Sequence, residues 1–389
     1  MQKQYIFPAI VATLLLFSCK HTPPVSEEDQ QNRLKMNEVQ VIASHNSYRL
    51  HTYQRVYELV LQIQGLPVKY SPLDWDYTHL PIPAQLQDYG IRGLELDIYN
   101  DPQGGHFANR AFLQFVHNPD EPIASGIPEL DLPGMKVLHI PDVDYMTNYY
   151  TFVAALQAVK TWSDAHPNHL PIYINVEDKT EAVADQLPFP DFVTGIPFDA
   201  AAWDVLDAEV KAVFGENLEK VITPDKIKGA FPTLKAAILA GNWLTLKEAR
   251  GKVAFILNDG KGYEIGHPSF QGRTMFAYQE NDSTEEAAFI IKNDPITDLA
   301  EIKEWVRKGY IVRTRADASV SIAKSGDYSG MNAAFESGAQ LVSTDYYRPD
   351  ERYLTDSIWT NYSVFLPNHA VARTNPILRS TFFQGDLTE

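Results

Sequence analysis

The stretch 92-RGLELDIYND-101 alternates like a strand that is apolar on one side and charged on the other. Leu94, Leu96 and Ile98 share one face. Glu95 and Asp97 share the opposite one, because strand side chains repeat every two residues. A strand of this kind is expected to turn its carboxylates inward, toward something that offsets their mutual repulsion.

The pattern recurs along the chain. In 171-PIYINVED-178, Ile172, Ile174 and Val176 form one face, and Tyr173, Asn175 and Glu177 the other. In 311-IVRTRAD-317, Arg313, Arg315 and Asp317 fall together; in 339-AQLVSTDYY-347, Ala339, Leu341, Ser343 and Asp345 do. Strand candidates at 39–45, 92–98, 136–140, 171–177, 252–258, 273–279, 310–315 and 339–345 are interleaved with helix candidates at 151–165, 201–213, 297–308 and 330–337. The clearest helix is 151–165, where Phe152, Leu156, Val159 and Trp162 follow helical spacing. This alternation predicts an α/β fold, a (β/α)8 TIM barrel. Several strands turn polar on one face near their C-terminal ends, where barrel enzymes gather their chemistry. The irregular segments 50–85 and 100–135, rich in Pro, aromatic and polar residues, are expected to be long loop insertions walling the C-terminal mouth. A chain of 389 residues, 44% of them hydrophobic, is ample for such a core.

The N-terminus reads differently. Lys3 is followed by an apolar run through Ile10, Val11 and Leu14–Phe17, then Ser18 and Cys19. This resembles a bacterial lipobox, and the run is too short for a permanent membrane span. The expected organisation is a lipoprotein signal peptide at 1–18, a polar lipid tether at 19–37 and the barrel at 38–389. An ordinary signal peptide with an incidental cysteine is the alternative. Cys19 is the only cysteine, so an intramolecular disulfide is impossible and a catalytic thiol is not expected. The expected location is the bacterial cell envelope, with the exported protein anchored to membrane through Cys19.

The 33 Lys and Arg against 50 Asp and Glu give a net charge of −17. Removing residues 1–18 removes only Lys3, leaving −18. That argues against a nucleic-acid partner. An anionic substrate stays open, because a bound cation reverses the local sign. A monomer is expected.

Four strand ends carry candidate chemistry: His45 and Asn46 in 41-VIASHNSY-48, Glu95 and Asp97, His139 in 136-KVLHIPD-142, and Glu177. Each has a plain structural alternative. These are a capped turn for His45, a salt bridge to Arg92 or Arg110 for the carboxylate pair, and a hydrogen-bonded core residue for His139. Taken together they suggest a metal site. Two carboxylates in a confined mouth raise one another's pKa, and a hard divalent cation removes that penalty. Glu95, Asp97, Glu177 and the Asn46 amide oxygen form an all-oxygen set that suits Ca²⁺ better than Mg²⁺, which keeps more water and demands more regular geometry. Two imidazoles beside a cation suit phosphoryl transfer. One would donate to the phosphoryl oxygens and the other would pass a proton to the leaving oxygen.

These segments resemble the calcium-dependent phosphatidylinositol-specific phospholipases C of the bacterial secreted type. The resemblance rests on SHNSY, RGLELDIY, VLHIPDVDY, PIYINVED, GYIVRTRAD and GAQLVSTDYY, and runs from about residue 38 to 350. It implies His45 and His139 as the catalytic pair, and Asn46, Glu95, Asp97 and Glu177 as calcium ligands. It also implies Arg313 and Arg315 as substrate contacts, and Asp345 is grouped with them. The implied reaction cleaves a phospholipid, phosphatidylinositol foremost, to diacylglycerol and a cyclic or open inositol phosphate, with Glu95 or Glu177 as base. A glycerophosphodiester phosphodiesterase would share the barrel and the Glu-x-Asp pair, but typically opens with His-Arg where His45-Asn46 stands. A catalytically inactive binding barrel is the third reading, and the presence of both histidines speaks against it.

Overall fold

The computed structural model describes residues 1, 25–63, 72–116, 121–187, 189–378 and 383–389. Eight parallel strands close on themselves: β1 (Val39–Ser44), β2 (Gly93–Tyr99), β3 (Ile172–Lys179), β4 (Val253–Leu257), β5 (Phe276–Gln279), β6 (Phe289–Ile291), β7 (Ile311–Arg315) and β8 (Leu341–Thr344). Each pairs in parallel with the next, and β8 returns to β1 through Val41–Leu341 to Ser44–Thr344. Helices at Phe152–Ala165, Ala200–Phe214, Leu299–Lys308 and Ser329–Ser337 lie close to the expected bounds. The first starts cleanly because the Thr151 side chain accepts from the Ala154 N–H at 3.2 Å, a side-chain cap for an otherwise orphaned donor. The architecture is the (β/α)8 barrel that the alternation predicts.

The membership of the barrel differs from the sequence reading at one strand. Residues 136–140 are not a wall of the barrel. Only Lys136–Val137 is extended, and it pairs antiparallel to the end of β2 through Ile98–Val137 and Tyr99–Lys136. The missing wall is β6, whose three residues Phe289, Ile290 and Ile291 bridge β5 and β7. Three apolar residues leave no alternation to read, so the register of the neighbouring strands is what defines β6. His139 therefore belongs to the β2–β3 insertion and not to a barrel strand end.

The expected tether also ends earlier than residue 37. Glu27–Arg33 is helical, Leu34 and Met36 are buried in the main core, and the Met36 N–H reaches the Leu244 carbonyl at 3.0 Å. Cys19 lies outside the described residues.

The outer faces of the strands build the core. Leu94, Leu96 and Ile98 of β2 and Ile172, Ile174 and Val176 of β3 are all buried in it. The opposite residues point into the barrel, where Glu95 stands beside Asn175, Asp97 beside Glu177 and Tyr99 beside Lys179. Where β1 meets β2 the approach is tight. A Cβ on Gly93 would lie 2.4 Å from the Ala43 Cβ and 3.1 Å from its Cα, so only glycine fits. The two insertions, the 138–145 turn and the loop after β3 together make a satellite core, including Val56, Val60, Trp75, Phe112, Ile140, Val143 and Val183. Among the described residues, no helix is long and apolar enough to cross a membrane.

Candidate active site

The turn after β1 sets the first part of the site. Asn46 takes a left-handed backbone (φ 46°), a conformation that Asn tolerates better than most residues. Its Nδ2 donates to the Tyr77 hydroxyl at 2.9 Å, which leaves Oδ1 buried with no hydrogen-bond partner. Ser47 ties this turn to β2: its N–H donates to the Glu95 carbonyl at 2.9 Å, and its hydroxyl accepts from the Glu95 N–H at 2.8 Å.

Carboxylate oxygens of Glu95, Asp97 and Glu177 lie within 4.8 Å of one another. Their proximity follows from register, since Asp97 and Glu177 are lateral partners on β2 and β3 and Glu95 is one pleat below. Asp97 Oδ1 is buried with no partner. Burial, together with Glu177 and Glu95, pushes the Asp97 carboxyl well above the usual range, with Lys179 working against the shift. Lys179 reaches Glu177 Oε1 at 2.6 Å and Asp97 Oδ2 at 3.2 Å. Burial would raise Glu177, but the Lys179 ammonium holds it below its ordinary value. Glu95 is shared: one oxygen pairs with the Arg313 guanidinium, and the other is 3.4 Å from His45 Nε2. The carboxylate pair thus does form salt bridges, but with Arg313 and Lys179. Arg92 pairs instead with Glu389, and Arg110 approaches Glu121.

The donor set fits the metal read from the sequence. Glu95, Asp97, Glu177 and Asn46 offer oxygen only, and two of their buried oxygens lack any other partner. That chemistry suits Ca²⁺.

Each candidate histidine is held by a buried carboxylate on its Nδ1. His45 Nδ1 lies 2.7 Å from Asp345 Oδ1, and Asp345 Oδ2 accepts from Arg315 at 2.8 Å. Burial would raise Asp345, but His45 and Arg315 hold it well below the carboxylate range. His139 Nδ1 lies 2.6 Å from Asp144 Oδ2. Asp144 also accepts from Arg49 Nε at 2.8 Å and from the Thr52 hydroxyl at 2.6 Å. Burial would raise Asp144; Arg49 and His139 hold it down at about 2. Burial lowers the His139 imidazole, and Asp144 opposes that shift. In both pairs the ionised carboxylate accepts a hydrogen bond from Nδ1–H, so Nε2 is the nitrogen turned to the mouth.

His139 reaches this position without a strand end. The short Lys136–Val137 ribbon extends β2, and the chain then folds back through an Ile140–Asp144 bridge with Asp142 at φ 68°. That turn brings Asp144 under the ring. His139 lines a cavity of about 360 Å³ with Tyr99, Glu177 and Lys179.

All the sequence-derived candidates except Cys19 are thus described, and they fall at or beside one mouth. Arg313, Arg315 and Asp345, expected to contact substrate, are engaged by Glu95, Asp345 and His45 in turn. Two other histidines stand in the 100–135 insertion and could compete with His139 for the acid role: His106 bonds the Thr194 carbonyl at 2.8 Å, and His117 lies outside the described residues. Sequence reasoning missed Asp144, Arg49, Tyr77 and Lys179. Asp144 stands five residues after His139, but no periodicity marks a loop that folds back on itself.

The family model described as Phosphoinositide phospholipase C, Ca2+-dependent, matches residues 34–376. No curated protein matches the sequence. Among solved structures, a calcium-dependent phosphoinositol-specific phospholipase C from Pseudomonas sp is 18% identical, with a TM-score of 0.49 over 82% of this chain and 91% of that one. A Ca²⁺-dependent phosphatidylinositol-specific phospholipase C from Streptomyces antibioticus is 16% identical, with a TM-score of 0.48 over 81% of this chain and 95% of that one.

Proposed function

The chain belongs to the Ca²⁺-dependent phosphoinositide phospholipase C family and is a phosphoric diester hydrolase; from that premise we propose that it cleaves an inositol phospholipid to diacylglycerol and a cyclic or open inositol phosphate. One observation carries this reading. Two histidines, each fixed by a buried carboxylate at 2.6–2.7 Å, flank a three-carboxylate cluster of oxygen ligands.

In this reading Asn46, Glu95, Asp97 and Glu177 hold Ca²⁺. When bound, the ion would neutralise phosphate charge and make a coordinated hydroxyl more acidic. The chain's own residues do the rest. The inositol 2-hydroxyl oxygen forms a bond to phosphorus and gives its proton to a carboxylate of the cluster. The bond from phosphorus to the glycerol oxygen breaks, and that oxygen takes the proton of His139 Nε2. His45 donates from Nε2 to a phosphoryl oxygen as negative charge gathers there. Asp345 and Asp144 act as positioning residues for the two rings, and Arg315 and Arg49 keep those carboxylates ionised. The placement of Asp345 favours this role over the substrate contact expected for it.

The apolar N-terminal run and Cys19 support export and lipid anchoring in the same reading. Cys19→Ala is expected to release the protein from the membrane fraction; unchanged retention would refute the anchor. The activity itself is tested on a panel of phospholipid vesicles followed by phosphorus NMR. Inositol lipid should be cleaved with calcium present and left intact in chelator. Turnover of a choline or ethanolamine lipid alone, or of inositol lipid in chelator, would refute the assignment.

A further inference from the structure

Lys179 is not accounted for by the carboxylates and histidines described above. It lies on β3 two residues after Glu177, on the same inward face, beside Tyr99 of β2. Its Nζ sits 2.6 Å from Glu177 Oε1 and 3.2 Å from Asp97 Oδ2, against two of the three clustered carboxylates. The ammonium is thus a cation already seated on oxygens that the calcium reading assigns to the metal. The two cannot share those oxygens at such distances, because a divalent ion and an ammonium on the same ligands repel. Lys179 also has somewhere else to go. About a quarter of its side chain is exposed, and it lines the 360 Å³ cavity whose wall includes His139. A four-carbon stem allows that movement without moving the strand.

We propose that Lys179 is an exchangeable cation of the site: it pairs Asp97 and Glu177 before calcium binds, and calcium displaces it into the His139 cavity, where it contacts a phosphoryl oxygen of the substrate. Rather than simply completing a rigid site, calcium binding then releases a phosphate-binding group next to the leaving-group side. The inference rests on the calcium-ligand reading given above. It adds two consequences. Lys179 opposes calcium in the absence of phosphate, and it couples calcium to phosphate once both are present; such coupling is reciprocal.

The test is calcium titration by calorimetry of the whole protein, alone and with saturating myo-inositol 1-phosphate. Lys179→Met, which keeps the stem and removes the charge, is expected to bind calcium about tenfold tighter than wild type when no phosphate is present. It should lose at least about tenfold of the tightening that myo-inositol 1-phosphate gives wild type. Lys179→Arg keeps the charge and is expected to stay within a few-fold of wild type when no phosphate is present, and it controls for a folding defect in the Met variant. Calcium affinity in Lys179→Met that is unchanged or weaker would overturn the competition. Tighter calcium with wild-type coupling to inositol phosphate would overturn the transfer to phosphate. If wild type bound no calcium, the ligand reading itself would fall, and the proposal with it; that outcome is told apart because it appears before any variant is made.

Discussion

Replacing Asp144 by Asn should separate the acid from the rest of the machinery. Asp144 is fully buried and holds His139 Nδ1 at 2.6 Å, so its charge stabilises the protonated ring that must give up a proton to the leaving oxygen. A hydrogen bond to a charged group contributes about 1.5–3 kcal/mol, which corresponds to about 1–2 pK units. Burial already lowers His139, and Asp144 is the strongest influence working against that shift, so the variant's imidazolium should become a stronger acid by about that amount. The acid must be protonated to act. The fall in kcat on the alkaline side should therefore begin about 1–2 pH units lower, and kcat at neutral pH should drop by about 10 to 10². An amide that turns its NH₂ toward Nδ1 would oppose protonation there, keep the ring neutral and deepen the loss. Arg49 Nε would also lose its charged partner, since it donates to Asp144 at 2.8 Å. Breaking a buried pair costs about 3–5 kcal/mol, so rates must be taken well below the variant's melting temperature. The assay is kcat against pH on an inositol lipid in mixed micelles and on a nitrophenyl ester of inositol phosphate. Nitrophenolate leaves without an acid, so Asp144→Asn and His139→Ala should both be impaired much less on the ester. His45→Ala should be crippled on both substrates. An unmoved alkaline limb in Asp144→Asn, or an equal loss on lipid and ester, would refute the assignment of the acid.

Asp97→Asn should weaken calcium binding by about 10² or more while raising or preserving the melting temperature in chelator, because burial, with Glu177 and Glu95, disfavours the charged carboxyl by more than Lys179 favours it. Wild-type calorimetric affinity in that variant would place the metal elsewhere. Gly93→Ala should lower both stability and calcium affinity although it touches no ligand, because its Cβ would meet Ala43 at 2.4 Å and push β2, which carries Glu95 and Asp97, away from Asn46; calcium affinity equal to wild type in a folded variant would count against that coupling. His169 is buried, with Nε2 on the Ser163 hydroxyl at 2.7 Å and Nδ1 on the Leu170 carbonyl at 2.6 Å, and burial lowers it to about 4. The unfolded chain binds this proton more readily, so the stability that His169 contributes is complete above about pH 6.5 and falls by about 3 kcal/mol as pH drops toward 4. His169→Gln should flatten the dependence of denaturation midpoint on pH across that window, and an unchanged slope would refute the reading.

The sequence alone determined what depends on neighbours two to four residues apart. A period of two put Glu95 and Asp97 on the face opposite Leu94, Leu96 and Ile98, and Glu177 opposite Ile174 and Val176, because in a strand spacing fixes direction. Helical spacing likewise located 152–165 and 200–214 to within a residue or two. The tertiary structure decided what depends on closure of the barrel. β6 is three apolar residues with no alternation, and pairing with β5 and β7 makes it a wall. His45 and Asp345 are 300 residues apart and meet because β8 closes onto β1. Asp144 lies near His139 in sequence, yet its use depends on a loop folding back and on Arg49 arriving from the turn after β1. Strand periodicity tells which way a side chain points; which partner awaits it across the mouth is set by the order and register in which distant strands are joined.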